Sequence, residues 1–537
     1  MRGADLLVQT LADAGVTRLF SLSGNQIMPV YDACIGSGIE IVHTRHEAAA
    51  VFMADAWAQL TGQVGVALVT AAPGFANALG ALYTALGSES PVLLLSGDAP
   101  RAQDGTGAFQ ALDQVAMSAP VTKLSCRATS ADHLGADVGR ALDTTGGARP
   151  GPVHLALPFD VLQAAVTDPV PEMQPGDGSD PAAASPAELA AVADALATAR
   201  CPLILTGPAL NRTRARGLHD RLVESLGAPV IALESPRGLN DPSLGALDQV
   251  LAQADLIVSL GKRIDFTLGF GAATVSEPDG GWIVIDGEAA AGRAARTNLG
   301  ERLSRLIVAD PCATAKALLA TAKPGAVAAD WHARVTELTS ARSALPAETT
   351  SDGMITSAGL CAAVQRQVAA AAASVVICDG GEVGQWAQAM VNGDERLING
   401  PAGAIGGALC YAVAARQARP DAAIFVLMGD GTVGFHLAEF ETAVRADTPF
   451  VAVIGNDGRW NAEHQIQLRN YGPQRLIGCD LSPARYDLAV AGLGGHGEFV
   501  TELADLDAAL ARALASGKPA CVNVRIDGLP APGGAAH

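Results

Sequence analysis

Two short segments rich in glycine and acidic residues, in the last third of the chain, are the clearest candidates for chemistry. They are Gly429-Asp430-Gly431-Thr432 and Gly455-Asn456-Asp457-Gly458. Asp430 offers a carboxylate and Asn456 an amide oxygen, and Mg²⁺ takes oxygen ligands, commonly one or two protein carboxylates together with phosphate oxygens. The flanking glycines let backbone groups approach a diphosphate closely. Either segment alone is an ordinary turn, but together they predict a metal–diphosphate site.

The elements around these segments predict where the site lies. Each segment follows a short apolar run, Ile424–Met428 or Phe450–Ile454, that is typical of a strand buried on both faces. A helical stretch of about three turns lies between them. The carboxyl ends of parallel strands meet at one edge of an open α/β sheet, which is where such sheets bind ligands. Further buried strands are predicted at Val64–Thr70, Pro91–Ser96, Leu203–Thr206, Leu256–Leu260, Trp282–Ile285 and Val375–Cys378.

Two polar breaks divide the 537-residue chain into three α/β blocks. The first break, Asp168–Pro186, is rich in Pro, Gly, Asp and Ser, so it cannot continue a helix or a central strand. The second is Ser340–Met354. Apolar runs alternate with Ala- and Leu-rich helical stretches in each block, which indicates βα units and parallel sheets. We therefore predict three doubly wound parallel-sheet domains over residues 1–167, 187–340 and 354–530.

Composition limits the partners of the chain. The net charge is −19, and no Lys/Arg cluster of the kind that binds phosphate backbones is present, so we expect no nucleic acid partner. No apolar run reaches the roughly 18 residues of a membrane span. The nine cysteines are scattered without a CxxC pair, and the N-terminus lacks a signal-like apolar region. These features predict a cytoplasmic protein that acts on a small molecule.

A third candidate lies in the first block, where Ile41–Trp57 reads IVHTRHEAAAVFMADAW. By itself, Glu47 is an acid in the first turn of a helix, where it interacts favourably with the helix dipole. With the GDG segment, however, this RHE segment resembles the thiamine diphosphate (ThDP) enzyme superfamily, whose signature is GDG followed by NN. GVALVTAAPGFANAL (Gly65–Leu79) and GPVHLALPFDV (Gly151–Val161) resemble the same family.

The resemblance implies a pyrimidine-binding domain, a central Rossmann-like domain and a diphosphate-binding domain, in that order. It implies that Asp430, Asn456 and the backbone carbonyl of Gly458 hold Mg²⁺ or Ca²⁺, with Gly455 where the family usually has its first Asn. The residues that it implies for binding the rest of the cofactor are Gly380, Gly381, Glu382, Gly403, Ile405, Gly431 and Thr432.

The resemblance also implies the catalytic groups. Glu47 would hydrogen-bond N1′ of the aminopyrimidine and favour the imino tautomer, whose 4′-imine accepts the C2 proton of the thiazolium ring. Gln110, in the FQ motif, is the second catalytic candidate. Gln26, Trp460 and His464 are candidates for the substrate pocket.

The stretch from Asn456 to Pro532 most resembles benzaldehyde lyase and acetolactate synthase-like carboligases. The implied function is a C–C bond lyase or carboligase acting on 2-hydroxy ketones, aldehydes or 2-oxo acids. Three alternatives stay open: an acetolactate synthase-type enzyme, a 2-hydroxyacyl-CoA lyase and a non-catalytic binder of ThDP or a nucleotide. No specific flavin signature is found in the central block, so FAD belongs only to the first alternative.

Two further expectations concern the ends and the assembly of the chain. The chain stops soon after its last strand, at GLPAPGGAAH, whereas acyl-CoA-handling relatives carry a longer C-terminal lid. This difference argues against the 2-hydroxyacyl-CoA lyase. Glu47 and Asp430 lie in different predicted domains, and the resemblance implies that they meet across a subunit interface. A homodimer would then be the minimum catalytic unit, assembled further into a homotetramer.

Overall fold

Three parallel β-sheets form the framework of the chain in the computed structural model. The structure describes residues 1–170, 182–272, 281–321, 327–341 and 345–532. Both faces of the sheets are covered: along the strand Ser374–Cys378, Val375 and Ile377 pack into one apolar cluster, while Val376 and Cys378 pack into another. The predicted fold class is therefore confirmed. Most of the first predicted break lies outside the described residues, so the domain limits stay a prediction.

The first sheet has six strands in the order β2-β1-β3-β4-β6-β5. Its strands are β1 (Arg18–Ser21), β2 (Glu40–His43), β3 (Gly65–Val69), β4 (Val92–Asp98), β5 (Leu124–Arg127) and β6 (Val153–Pro158). Its helices are α1 (Gly3–Asp13), α2 (Met28–Ala33), α3 (Glu47–Thr61), α4 (Pro73–Gly87), α5 (Gln114–Ser118), α6 (Leu134–Thr145) and α7 (Phe159–Gln163).

The central sheet has five strands in the order β11-β10-β9-β7-β8. Its strands are β7 (Pro202–Thr206), β8 (Val230–Ala232), β9 (Leu256–Leu260), β10 (Gly281–Asp286) and β11 (Leu303–Val308). Its helices are α8 (Pro186–Thr198), α9 (Arg212–Ala215), α10 (Leu218–Leu226), α11 (Leu247–Gln253), α12 (Ala289–Leu299), α13 (Pro311–Thr321) and α14 (Trp331–Ser340).

The third sheet repeats the strand order of the first, as β13-β12-β14-β15-β17-β16. Its strands are β12 (Ser374–Cys378), β13 (Glu395–Ile398), β14 (Ala423–Gly429), β15 (Val451–Asn456), β16 (His496–Val500) and β17 (Ala520–Arg525). Its helices are α15 (Ser357–Ala370), α16 (Gly381–Met390), α17 (Ala408–Ala418), α18 (Asp430–His436), α19 (Glu439–Arg445), α20 (Asn461–Tyr471), α21 (Tyr486–Gly492) and α22 (Leu503–Ala515). The single helix expected between β14 and β15 is thus two short helices.

Helix α3 joins the first and third sheets. Every residue from Ala48 to Leu60 is buried, because one side of the helix packs on the first sheet and another on α17. Such a helix is apolar on nearly every side: this one is rich in Ala, and its buried polar side chains Asp55 and Gln59 are hydrogen-bonded to each other. Phe52 lies edge-on to Tyr411 of α17 at a ring-centroid distance of 6.0 Å, and the Tyr411 hydroxyl donates to Asp55 at 2.5 Å. These contacts fix α3, which begins at Glu47, against the third sheet.

Buried arginines join the central domain to the first. Arg149 donates to Asp286 at the end of β10 and also contacts Glu89, which lies next to the first sheet. Arg214 donates to the backbone carbonyls of Ser88 and Glu89, each at 2.8 Å. Burial of such charges is tolerated only where hydrogen bonds satisfy them.

In the described part of the chain, none of the helices has the length and apolar character that a membrane span requires.

Candidate active site

A cavity of about 210 Å³ opens at the carboxyl ends of β12, β14 and β15. These neighbouring strands run parallel, so the loops that follow them meet at one edge, as the sequence predicts for the two glycine-rich segments. The cavity is lined by Arg237, Gly380, Gly381, Glu382, Val383, Gly403, Ile405, Gly429, Asp430, Gly431, Thr432, Asp457, Arg459, Trp460, Asn461, Ala462 and Glu463. The structure therefore brings together all seven glycine-loop and side-chain positions expected for the cofactor, together with Asp430 and Trp460.

Two carboxylates, Asp430 and Asp457, lie within hydrogen-bonding reach of each other in this cavity. Burial raises the pKa of Asp430, and burial together with the charge of Asp430 raises the pKa of Asp457. Oδ2 of Asp430 is buried without a hydrogen-bond partner in the described part of the chain. A divalent cation would satisfy this oxygen and screen the repulsion between the two carboxylates, so the residues present fit such an ion.

Asn456 does not face the cavity. It is completely buried, its Nδ2 donates to the carbonyl of Ala484 at 3.0 Å and to Asn523 at 3.1 Å, and its Oδ1 accepts from Arg525 at 2.9 Å. The carbonyl of Gly458 is likewise engaged, because it accepts the N–H of Leu481 at 2.6 Å. The sequence prediction of Asn456 and Gly458 as metal ligands thus conflicts with the structure, in which Asp457 occupies the cavity wall.

A buried acid, Asp379, is hydrogen-bonded to two of the glycine loops near the cavity. Asp379 directly follows β12 and accepts the N–H groups of Gly380 at 2.8 Å and Gly406 at 2.9 Å; burial raises the pKa of Asp379 to about 6. A Cβ atom on Gly380 would lie 2.5 Å from Cγ2 of Ile405, so only glycine fits there. Gly381 has a φ of +80°, in the left-handed region that favours glycine. The position of Asp379 directly after a buried strand is a sequence signal for such a role, but its contact with Gly406 appears only in the structure.

Trp460 forms one wall of the cavity. A Cβ atom on Gly431 would lie 2.8 Å from the Trp460 ring, and Phe435 packs edge-on to this ring at 6.2 Å. His464 lies one turn further along α20, where its backbone N–H donates to the carbonyl of Trp460. Its side chain is 8% exposed and does not line the cavity. The structure thus brings Trp460, but not His464, to the predicted pocket.

Two further charged residues, Glu382 and Arg237, line the cavity. Glu382 accepts the backbone N–H of Ala531 from the C-terminal segment at 2.6 Å, and burial raises the pKa of Glu382. Arg237 comes from the central domain; burial lowers its pKa, against the opposing charges of Glu382 and Asp241. Arg237 was not predicted, because no local motif connects it with loops that are distant along the chain.

The other predicted site residues lie at the first sheet. Oε2 of Glu47 accepts from Asn77 at 3.0 Å, close to Gly74 at the start of α4. The side chain of Gln26 donates to that of Gln110 at 2.6 Å and accepts from Thr70 at 2.7 Å. Gln110 has a φ of +58°, so its backbone adopts the left-handed conformation that non-glycine residues seldom adopt. Gln26 and Gln110 therefore form one hydrogen-bonded pair at the carboxyl ends of the first sheet.

The two half-sites are separate within one chain. The described lining residues of the cavity come from the third domain and, for Arg237, from the central domain. Glu47, Gln26 and Gln110 are not among them.

Comparisons with known proteins match both halves. Residues 1–117 match the model of the thiamine pyrophosphate enzyme N-terminal TPP binding domain, and residues 379–524 match that of the C-terminal TPP binding domain. The acetolactate synthase large subunit IlvG of Mycobacterium tuberculosis is 34% identical over 98% of this chain and 96% of its own length. The chain belongs to the thiamine pyrophosphate enzyme family. Its 2-hydroxyacyl-CoA lyase 2 relative from Homo sapiens is 29% identical over 92% of this chain and 84% of its own.

Membership of the thiamine pyrophosphate enzyme family confirms the resemblance seen in the sequence and the expectation of ThDP as cofactor. Glu47, Gln26 and Gln110 fall within the N-terminal match, while the lining residues from Gly380 onward fall within the C-terminal match. Arg237 lies in the central part of the chain, between the two matched ranges.

Proposed function

We propose that this chain is a ThDP- and Mg²⁺-dependent enzyme that makes or breaks a C–C bond next to a carbonyl group. The observation that carries the proposal is Oδ2 of Asp430, which is buried, has no hydrogen-bond partner among the described residues and lies beside Asp457 in a cavity walled by glycine loops. In the described part of the chain, no group of three or more His, Cys, Asp or Glu side chains is arranged to hold a metal ion. Two carboxylates with a bound diphosphate supplying further oxygens match the way Mg²⁺ binds.

Bound ThDP supplies a nucleophilic thiazolium carbon and a sink for the electron pair of the bond that breaks or forms. The residues of the chain hold the cofactor and move its protons. Asp430 and Asp457 would bind the cation, and Gly381, Gly431 and Thr432 would surround the diphosphate. Glu47 would hold a proton at N1′ of the aminopyrimidine.

A homodimer is the minimum active unit in this proposal, and a homotetramer the expected assembly. Support comes from the separation of the two half-sites within one chain and from apolar side chains near them that are open to solvent. Phe109, next to Gln110, is 76% exposed, and Phe435, which packs on Trp460, is 54% exposed. Large exposed apolar side chains are typical of surfaces that another subunit covers.

The compartment proposed for this enzyme is the cytoplasm. All nine cysteines are unpaired, and six of them are buried. Free thiols are typical of proteins in reducing compartments.

The charge of the cavity wall bears on the choice of substrate. A lyase or carboligase acting on 2-hydroxy ketones and aldehydes needs no cationic group near the thiazolium, whereas a 2-oxo acid carries a carboxylate. Arg237, at the wall of the cavity, supports the acetolactate synthase-type alternative, as does the relative of that name. The relatives named 2-hydroxyacyl-CoA lyase support the third alternative.

One assay panel tests these alternatives. The purified protein is incubated with ThDP and Mg²⁺ and offered 2-oxo acids, benzoin-type ketones and 2-hydroxyacyl-CoA thioesters. We expect turnover in at least one class, lost on removal of Mg²⁺ with a chelator. An absorption band of bound flavin would indicate the FAD-containing synthase. Binding of ThDP without turnover of any class, and without exchange of its C2 proton in D₂O, would support the non-catalytic binder instead.

A further inference from the structure

The backbone just before Glu47 is held by a buried carboxylate from the third domain. The N–H of Arg45 donates to Oε1 of Glu439 at 3.0 Å and lies 3.3 Å from Oε2. The N–H of His46 donates to the same carboxylate. Glu439 is only 1% exposed, and Thr442 donates to its Oε2 at 2.6 Å, which fixes the carboxylate on α19.

These two N–H groups lie at the point where the chain enters α3. They precede the first turn, so the carbonyls of the helix cannot accept them. The carboxylate that accepts them is buried, and a buried carboxylate left without donors is costly, so this pairing constrains the path of the segment. Glu47 is the first residue of α3, directly after His46. The path of the segment therefore sets the direction in which the Glu47 side chain leaves the helix.

Other side chains of α19 touch the same segment without holding these N–H groups. Arg445 donates to the carbonyl of His43 at 2.7 Å. Glu441 pairs with the side chain of Arg45 at 3.6 Å, and the Arg45 side chain is 55% exposed. Glu441 thus provides a matched control, because it is an acid on the same helix that contacts the side chain but not the backbone N–H of Arg45.

We propose that Glu439 is a positioning residue for Glu47, which it orients by accepting the backbone N–H groups of Arg45 and His46. This inference rests on the proposed role of Glu47 as proton relay. Glu439 opens α19, the helix directly after α18, which itself begins at the cation-facing Asp430. The segment Asp430–Arg445 therefore lines the cavity of its own chain at one end and holds the loop before Glu47 further along.

The test compares Glu439→Gln, Glu439→Asp, Glu441→Gln and Glu47→Gln in the full-length protein with ThDP and Mg²⁺. Two quantities are measured for each variant: the rate at which the C2 proton of bound ThDP exchanges in D₂O, and the affinity for ThDP from quenching of protein fluorescence. We expect Glu439→Gln to slow exchange and kcat about 10- to 100-fold, the loss typical of a misplaced catalytic group, with the affinity within about threefold of wild type. Glu439→Asp should recover part of the exchange rate, and Glu441→Gln should match wild type.

The outcomes separate this inference from the proposed function. Wild-type exchange in Glu439→Gln, with exchange lost in Glu47→Gln, would overturn the positioning role and leave the relay intact. Wild-type exchange in Glu47→Gln would instead overturn the relay. Equal losses of exchange and of ThDP affinity in Glu439→Gln would show a merely structural residue. Should Glu439→Gln fail to fold, Thr442→Val removes only the hydroxyl that orients Glu439. Exchange slowed a few-fold then supports the inference, and unchanged exchange contradicts it.

Discussion

Replacing Asp457 or Asn456 by alanine tests which of these neighbours holds the cation. Removing one charged partner from a buried ionic site costs about 3 kcal/mol or more, which corresponds to about 100-fold or more in affinity. We therefore expect Asp457→Ala to weaken Mg²⁺ binding at saturating ThDP by at least that factor. In the cation-free protein the same change removes one of two mutually repelling carboxylates, so the free energy of unfolding should stay unchanged or rise by about 1 kcal/mol at about pH 8.

The variant Asn456→Ala should lose stability and keep its affinity for Mg²⁺. It deletes the hydrogen bonds to Ala484, Asn523 and Arg525 and leaves buried polar groups unsatisfied. We expect a loss of about 3 kcal/mol in the free energy of unfolding, with Mg²⁺ affinity within about threefold of wild type.

The assays are a Mg²⁺ titration followed by protein fluorescence, to which Trp460 in the cavity wall contributes, and chemical denaturation in the presence of a chelator. Near-normal Mg²⁺ affinity in Asp457→Ala, together with a large loss of affinity in Asn456→Ala, would refute the placement of the cation at Asp430 and Asp457.

Three further predictions concern other parts of the molecule. Arg237→Gln should raise the KM for 2-oxo acids about 10-fold or more and leave the KM for neutral aldehydes within about twofold, since only the former carry a carboxylate; equal changes in steady-state assays would contradict this. Tyr411→Phe should lower the free energy of unfolding by about 1–3 kcal/mol in denaturant titrations, because it removes the hydroxyl that donates to the buried Asp55. An unchanged midpoint would count against that contact. Burial lowers the pKa of His154 to about 3, so this neutral histidine contributes stability above its ordinary pKa near 6.5 that is lost as the pH falls towards 3. The free energy of unfolding should be about 1.4 kcal/mol smaller at about pH 5.5 than at about pH 7.5. The variant His154→Gln should lose this pH dependence, and an unchanged dependence in the variant would show that another group causes it.

The sequence reveals central strands better than edge strands. The strands predicted from continuous apolar runs, such as Ile424–Met428 and Leu256–Leu260, all appear in the sheets within a few residues of their expected limits. Those strands all lie in the interior of their sheets, whereas the edge strands β5, β8, β11, β13 and β16 were not predicted; the interior strands β1, β6 and β17 were missed as well. Residues of β5 and β16 are partly exposed, because an edge strand has a neighbour on one side only and carries a mixed composition. Apolar runs cannot distinguish such a strand from a loop.

The sequence by itself determined that the chain is a three-sheet α/β protein, that Asp430 ends a buried strand and that Glu47 begins a helix. These features are local, since they depend on hydrophobic runs and on the residue types at strand and helix ends. Tertiary structure alone decided which of two adjacent side chains faces the cavity. Successive residues of an extended chain point to opposite sides, so Asn456 turns towards Asn523 and Arg525 while Asp457 turns into the cavity. The tertiary structure alone also brings Arg237 to the cavity wall and Glu439 to the backbone before Glu47. Contacts between residues that are distant in sequence form only when the domains pack together.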